Sequence, residues 1–207
     1  MPTNSGIATV LINGTNMPKL LILGHAQHGK DTAAEYLQQA YGVTFESSSL
    51  VACREFLWED AATQGMPYAT PEALYLNRDK HRQWMYEKIH AYNTPDRTAL
   101  ARLILKDHDC YCGMRHKEEL DACKAAGLFD LILWIDASKR KPAEPSTSIT
   151  VTPDDADVVI DNNGAMYDLF DQLDKAWKTV NGAAYTLRGD WNFEKICTDS
   201  ARKEQGG

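Results

Sequence analysis

The segment Lys19–Thr32, KLLILGHAQHGKDT, constrains this chain more than any other stretch. An apolar run, Leu20 to Leu23, stops at Gly24, and Gly29, Lys30, Asp31 and Thr32 open a segment with helical spacing. That order of strand, glycine-bounded loop and helix start fits the pattern G-x-x-x-x-G-K. Glycine has no Cβ, so such a loop can fold its own N–H groups around an anion. The helix behind it points its positive end at the same anion, and Lys30 can reach the β- and γ-phosphates of a nucleoside triphosphate. The run Gly24, His25, Ala26, Gln27, His28, Gly29, Lys30, Asp31 and Thr32 is therefore read as a phosphate cradle, with a plain glycine turn as the rival reading. After the lysine, such loops carry a serine or threonine whose hydroxyl binds Mg²⁺; here the residue is Asp31. A carboxylate is also an oxygen ligand for Mg²⁺. Asp31 is thus expected to hold the metal and Thr32 to contact phosphate, while His25 and His28 shape the loop.

The 207 residues suffice for one large domain, or one domain with extensions, around a proper core. A net charge of −7 weighs against a protein that coats nucleic acid, although a local basic cleft stays open. No apolar run approaches the roughly 20 residues needed to cross a bilayer, and the first residues lack the order of a signal peptide. The expectation is a cytoplasmic protein with no membrane partner. Five cysteines, Cys53, Cys110, Cys112, Cys123 and Cys197, are odd in number and lack metal-ligand spacing. Cys110 and Cys112 alternate on a strand-like stretch, which favours a buried reduced pair over a redox or zinc role.

Along the chain, the pattern predicts an N-terminal arm over 1–17, either an added strand and turn or a loose segment. A helix carrying Ala33, Leu37, Ala40 and Tyr41 ends at Gly42, and Val43 to Phe45 reads as a second strand. Ser47, Ser48 and Ser49 follow; they either hold a phosphate or sugar or cap the next helix. Helices are expected over Leu50–Ala62 and Pro71–Tyr92. Arg78 and Arg82 fall four apart on one helical face, with Trp84 nearby. These residues read either as a nucleotide-monophosphate site, with arginines for phosphate and a ring for the base, or as a solvated face. A helix with Leu100, Leu103 and Ile104 inward precedes a strand at Asp109–Cys112. Gly113 and Arg115 then stand where open α/β sheets place ligand groups. Arg115 is the candidate substrate or transition-state arginine, with an ion pair to Glu118 or Glu119 as the alternative. Leu131 to Ile135 reads as a strand buried on both faces. Beyond it, residues 138–154 carry Lys139 and Arg140 and a Pro-, Ser- and Thr-rich run, read as a basic, flexible flap or a plain solvated loop. A fifth strand, Asp157–Ile160, and an amphipathic helix through Leu169, Leu173 and Trp177 close the domain. Residues 181–207 read as an extension ending in a disordered tail.

GHAQHGKDT, CYCGMR with its EEL helix, LILWIDAS and ADVVIDNNGAMYDLFDQL together resemble the P-loop nucleotide kinases over about Lys19 to Lys178. The nearest likeness is to phage deoxynucleoside monophosphate kinases and, more distantly, to dephospho-coenzyme A kinases. The resemblance implies a three-layer α/β P-loop fold over 18–180, a five-stranded parallel sheet flanked by helices, with a helical substrate-binding insertion over about 50–92. It implies ATP and Mg²⁺ as co-substrate and metal, Lys30 and Arg115 as catalytic residues, and Asn162 and Asn163 beside the adenine. The implied reaction is phosphoryl transfer to a deoxynucleoside monophosphate, with nucleotides as partners and a homodimer left open. One alternative is a kinase of the same fold acting on hydroxymethyluracil in phage DNA; another is a nucleotide-binding regulator without turnover.

Overall fold

Leu20 and Ile22 point to one side of a sheet and Leu21 and Leu23 to the other, and all four are fully buried. A run with no polar face has to be a central strand covered by helices on both sides. The structure, a computed structural model, describes residues 17–181. The segments expected as arm and extension, 1–17 and 181–207, lie outside the described residues except for Met17 and Asn181. Five strands, β1 (Leu20–Leu23), β2 (Phe45–Ser47), β3 (Cys110–Cys112), β4 (Leu131–Asp136) and β5 (Val158–Asp161), pair in parallel in the order β2-β3-β1-β4-β5. β1 lies between β3 and β4, with Leu20 opposite both Cys110 and Leu131. The chain therefore leaves β1 towards one half of the sheet and later builds the other half, so a topological switch point lies at the carboxyl end of β1.

On one face, α1 (Lys30–Tyr41) and α8 (Met166–Asn181) cover Leu20, Ile22, Leu133 and Ile135 with Ala33, Leu37, Ala40, Leu169, Leu173 and Trp177. Gly42 closes α1 in the left-handed conformation, its N–H donating to the Gln38 carbonyl. On the other face, α6 (Ala99–Asp107) and α7 (Lys117–Ala125) bring Leu100, Ile104 and Leu120 against Leu21, Tyr111 and Trp134. The α/β architecture thus follows from the two-sided apolar strands.

Between β2 and α6 the chain is helical. It comprises α2 (Ser48–Ala52), a π turn (Cys53–Leu57), α3 (Trp58–Thr63), α4 (Pro71–Leu76), a 3₁₀ turn (Arg78–His81) and α5 (Arg82–Tyr92). This segment has its own small core of Cys53, Leu57, Leu74 and Met85. Two details differ from the sequence pattern. The second strand runs over Phe45–Ser47 rather than Val43–Phe45, because Val43 is buried under α1 and the ladder to β3 begins at Phe45–Cys110. The helix expected over Pro71–Tyr92 breaks at Asn77, whose side-chain amide donates to the Ala73 carbonyl and ends α4. Cys110 and Cys112 are buried free thiols, as their alternation on β3 indicated, and so are Cys53 and Cys123. Among the described residues, no helix is long and apolar enough to cross a membrane.

Candidate functional site

The loop after β1 owes its shape to two glycines. Gly24 has φ +141° and Gly29 has φ +94°, both in the region that favours glycine. A Cβ on Gly24 would stand 2.6 Å from the Ile135 carbonyl oxygen, and one on Gly29 would collide with the side-chain amide of Asn162. Gln27 is also left-handed, at φ +60°. Lys30, the first residue of α1, donates from Nζ to the carbonyls of Gly24 (2.8 Å) and His25 (2.7 Å), folding the loop over its own helix tip. Burial draws the Lys30 ammonium below its ordinary pKa. His28 is fully buried; its Nδ1 accepts from the Ala137 N–H and its carbonyl accepts from Asn162 Nδ2 at 2.9 Å. The loop is thereby tied to the ends of β4 and β5. His25 accepts from the Glu144 N–H and stacks edge-on against Trp134. Both histidines brace the cradle.

One residue missed in the sequence sits in the cradle's mouth. The Glu144 carboxylate accepts from the Ala26 N–H (2.6 Å) through Oε2, and from Arg82 (2.7 Å) and Arg115 (2.9 Å) through Oε1. Burial alone would raise its pKa, but Arg115, through charge and hydrogen bond, then the Ala26 N–H and Arg82, hold it at about 2. A carboxylate with a depressed pKa stabilises the fold above its unfolded pKa, near 4.5, and loses that contribution as pH falls towards 2. Glu144→Gln is therefore expected to lower stability by up to about 3 kcal/mol at pH 7. The gap to the wild type should close between pH 4.5 and pH 2 in paired denaturation curves. A gap independent of pH would remove the ion-pair account.

Beside the cradle lies a pocket, partly open to solvent, lined by Ser48, Ser49, Arg78, Arg82, Tyr86 and Arg115 among others. Although Arg78 and Arg82 do not share one α-helix, both reach this pocket. Arg78 lies over the Tyr75 ring, while Arg82 bonds Asp79 and Glu144. Arg115, at the end of β3, also donates to the Ser148 carbonyl; it pairs with neither Glu118, which holds Arg97, nor Glu119. Two expected residues stand elsewhere. Trp84 packs against the helical core, and Ser47, at the start of α2, makes no side-chain cap and does not line the pocket. Ser48 is buried, its hydroxyl on the Gly113 carbonyl.

In the 138–154 segment, the cations Lys139 and Arg140 and the acid Glu144 have separate places. Arg140 donates to the Asn162 carbonyl and the Lys139 N–H to Asn163, so these residues join the turn after β5. Ile149 and Val151 are buried in the second core, and the Thr150 N–H donates to the Arg115 carbonyl. It is Glu144, the acid, that enters the cradle. The amides of Asn162 and Asn163 are engaged within the protein, the latter on Asp136 and Asp161. Asp31 stands in the first turn of α1, with Oδ1 accepting from the Cys112 thiol at 3.6 Å. Its carboxylate is an oxygen donor beside Lys30, so the residue type suits Mg²⁺.

The described residues thus form a three-layer α/β fold, a parallel sheet in this order with helices on both faces and a glycine cradle at the switch point. No protein-family model and no curated protein matches the sequence. Many solved structures match it, among them three that align over most of their length. A sugar kinase from Janibacter sp. HTCC2649 shares 17% identity over 82% of this chain and 96% of that one, TM-score 0.40. A gluconokinase from Sinorhizobium meliloti 1021 shares 12% over 83% and 100%, TM-score 0.41. A shikimate kinase from Aquifex aeolicus shares 12% over 91% and 96%, TM-score 0.32. Likeness this distant carries no argument about chemistry, which has to come from the site itself.

Proposed function

We propose that this protein transfers the γ-phosphoryl group of ATP to a small phosphorylated acceptor, a deoxynucleoside monophosphate, held in the pocket beside the cradle. The observation that supports this reading is the position of Glu144: one carboxylate accepts from a cradle N–H and from two pocket arginines. An anion at that point lies within reach of both sites, as a phosphoryl group in transit between donor and acceptor must. The carboxylate marks the place and has to yield it to phosphate.

Phosphoryl transfer asks a protein for alignment and charge neutralisation more than for covalent help. Backbone N–H groups from Gly24 to Lys30 would hold the donor phosphates, with Thr32 alongside. The Lys30 ammonium would move from the loop carbonyls to phosphate oxygens. Asp31 would hold Mg²⁺, which supplies charge neutralisation across the phosphates. Arg78, Arg82 and Arg115 would grip the acceptor phosphate, while Ser48 and Tyr86 bound its other end. Asn162, braced on His28, keeps the cradle in shape; with Asn163 and Arg140 it would place the turn after β5 beside the donor base.

The test is incubation with γ-labelled ATP and Mg²⁺, separately with each deoxynucleoside monophosphate and with hydroxymethyluracil DNA. Labelled diphosphate is the expected product. Label on DNA alone would replace the acceptor, and label on nothing, with ATP still bound, would make the protein a nucleotide-binding regulator.

A further inference from the structure

Facing each other across α5 and α7 are three side chains that the kinase chemistry does not use: His90, His116 and Glu119. One ligand-type atom from each lies within 4.8 Å of the others. His90 Nδ1, His116 Nε2 and Glu119 Oε1 are each buried and lack a hydrogen-bond partner. His116 is 7% exposed and Glu119 1%. A buried carboxylate oxygen and two buried imidazole nitrogens without partners are costly unless something binds them.

Packing holds the surroundings of these groups in place. The His116 ring stacks on Tyr86 at 4.1 Å and on His90 at 4.4 Å. The Asn93 side chain, buried and accepting from the Leu100 N–H, interacts favourably with the Glu119 carboxylate. Polar neighbours of this kind orient ligating histidines and carboxylates. Two imidazoles with one carboxylate suit a divalent transition metal of the zinc class and not Mg²⁺, which prefers oxygen ligands and water.

We infer that His90, His116 and Glu119 form a binding site for one divalent transition-metal ion of the zinc class, set in the wall of the pocket. His116 and Glu119 are among the residues that line that pocket. The three ligand atoms already lie within 4.8 Å of one another, so small side-chain rotations complete the set. The site does not depend on what the pocket's occupant is.

The experiment uses the full chain, stripped with a chelator and titrated with Zn²⁺ by calorimetry in the absence of nucleotide. One equivalent is expected to bind. His116→Ala and Glu119→Gln should each weaken binding by about 100-fold, and Asn93→Ala, which removes an orienting neighbour together with the acceptor of the Leu100 N–H, by about 10-fold in the folded variant. Co²⁺ substituted for Zn²⁺ should give ligand-field bands without a thiolate charge-transfer band. Should the two buried variants misfold, His90→Ala, less deeply buried, supplies the ligand deletion. No saturable binding, wild-type affinity in every folded variant, or a thiolate band that moves the ion to the cysteines would each overturn the site.

Discussion

Replacing Lys30 with Met is expected to lower kcat by about 10³-fold or more, equivalent to about 4 kcal/mol of transition-state stabilisation, while the chain still folds. The ammonium sits at the amino end of α1 and is held by two loop carbonyls at 2.7 and 2.8 Å. It is the one positive side chain that the G-x-x-x-x-G-K pattern itself carries, and burial already weakens its hold on the proton. A methionine of similar length fills the space without offsetting phosphate charge. It also leaves the Gly24 and His25 carbonyls short of a donor, at a cost of about 1–3 kcal/mol. Paired measurement of kcat and of the denaturation midpoint separates the two effects. A variant that keeps kcat within threefold would show that the loop folds around its lysine for structure alone.

How much of this could be read from the chain alone differs from element to element. The cradle was legible because its determinants are local: four apolar residues, two glycines and a lysine inside fourteen positions. The two-sided burial of β1 and β4 was legible for the same reason, since strands with no polar face have one place to go. Strand order was reachable only through resemblance, because pairing of Leu20 with Cys110 and Leu131 spans about a hundred residues. Glu144 was not legible at all. It is one acid in a stretch of Pro, Ser and Thr behind a basic triplet, and composition pointed to the cations. Its partners, Ala26, Arg82 and Arg115, lie 118, 62 and 29 residues away. The arginines stand out as a group in the sequence, yet Arg78 and Arg82 share no α-helix, because the helix ends at Asn77, whose side chain competes for helix carbonyls, and Arg78 falls in the 3₁₀ turn that follows. Asn162 is visible in the sequence as a polar turn residue; that it faces inward to Gly29 and His28 depends on β5 lying at the sheet edge beside the loop. His90, His116 and Glu119 have no spacing that marks a ligand set, because two elements supply them and only packing of α5 on α7 brings them together.

Removal of Arg115 carries the second large expected effect. Its guanidinium bonds Glu144 and the Ser148 carbonyl, and its own carbonyl receives the Thr150 N–H, so both ends of the residue are fixed before any substrate arrives. A cation held rigidly at the mouth of the cradle can stabilise charge that develops during transfer without reorganising. Arginines in that role are worth about 10³- to 10⁵-fold in kcat. Arg115→Ala is expected to fall in that range, with acceptor KM raised as well. Arg115→Lys keeps the charge but loses the planar fork that spans two acceptors, so it should recover only a minor part of the rate. The comparison with Arg82→Ala matters most, because Arg82 touches the same Glu144 oxygen from the helical side. If both arginines only grip the acceptor, each deletion raises KM and leaves kcat near the wild type. A fall in kcat confined to Arg115 would place the transferring group at the end of β3, where the switch point of the sheet directs it.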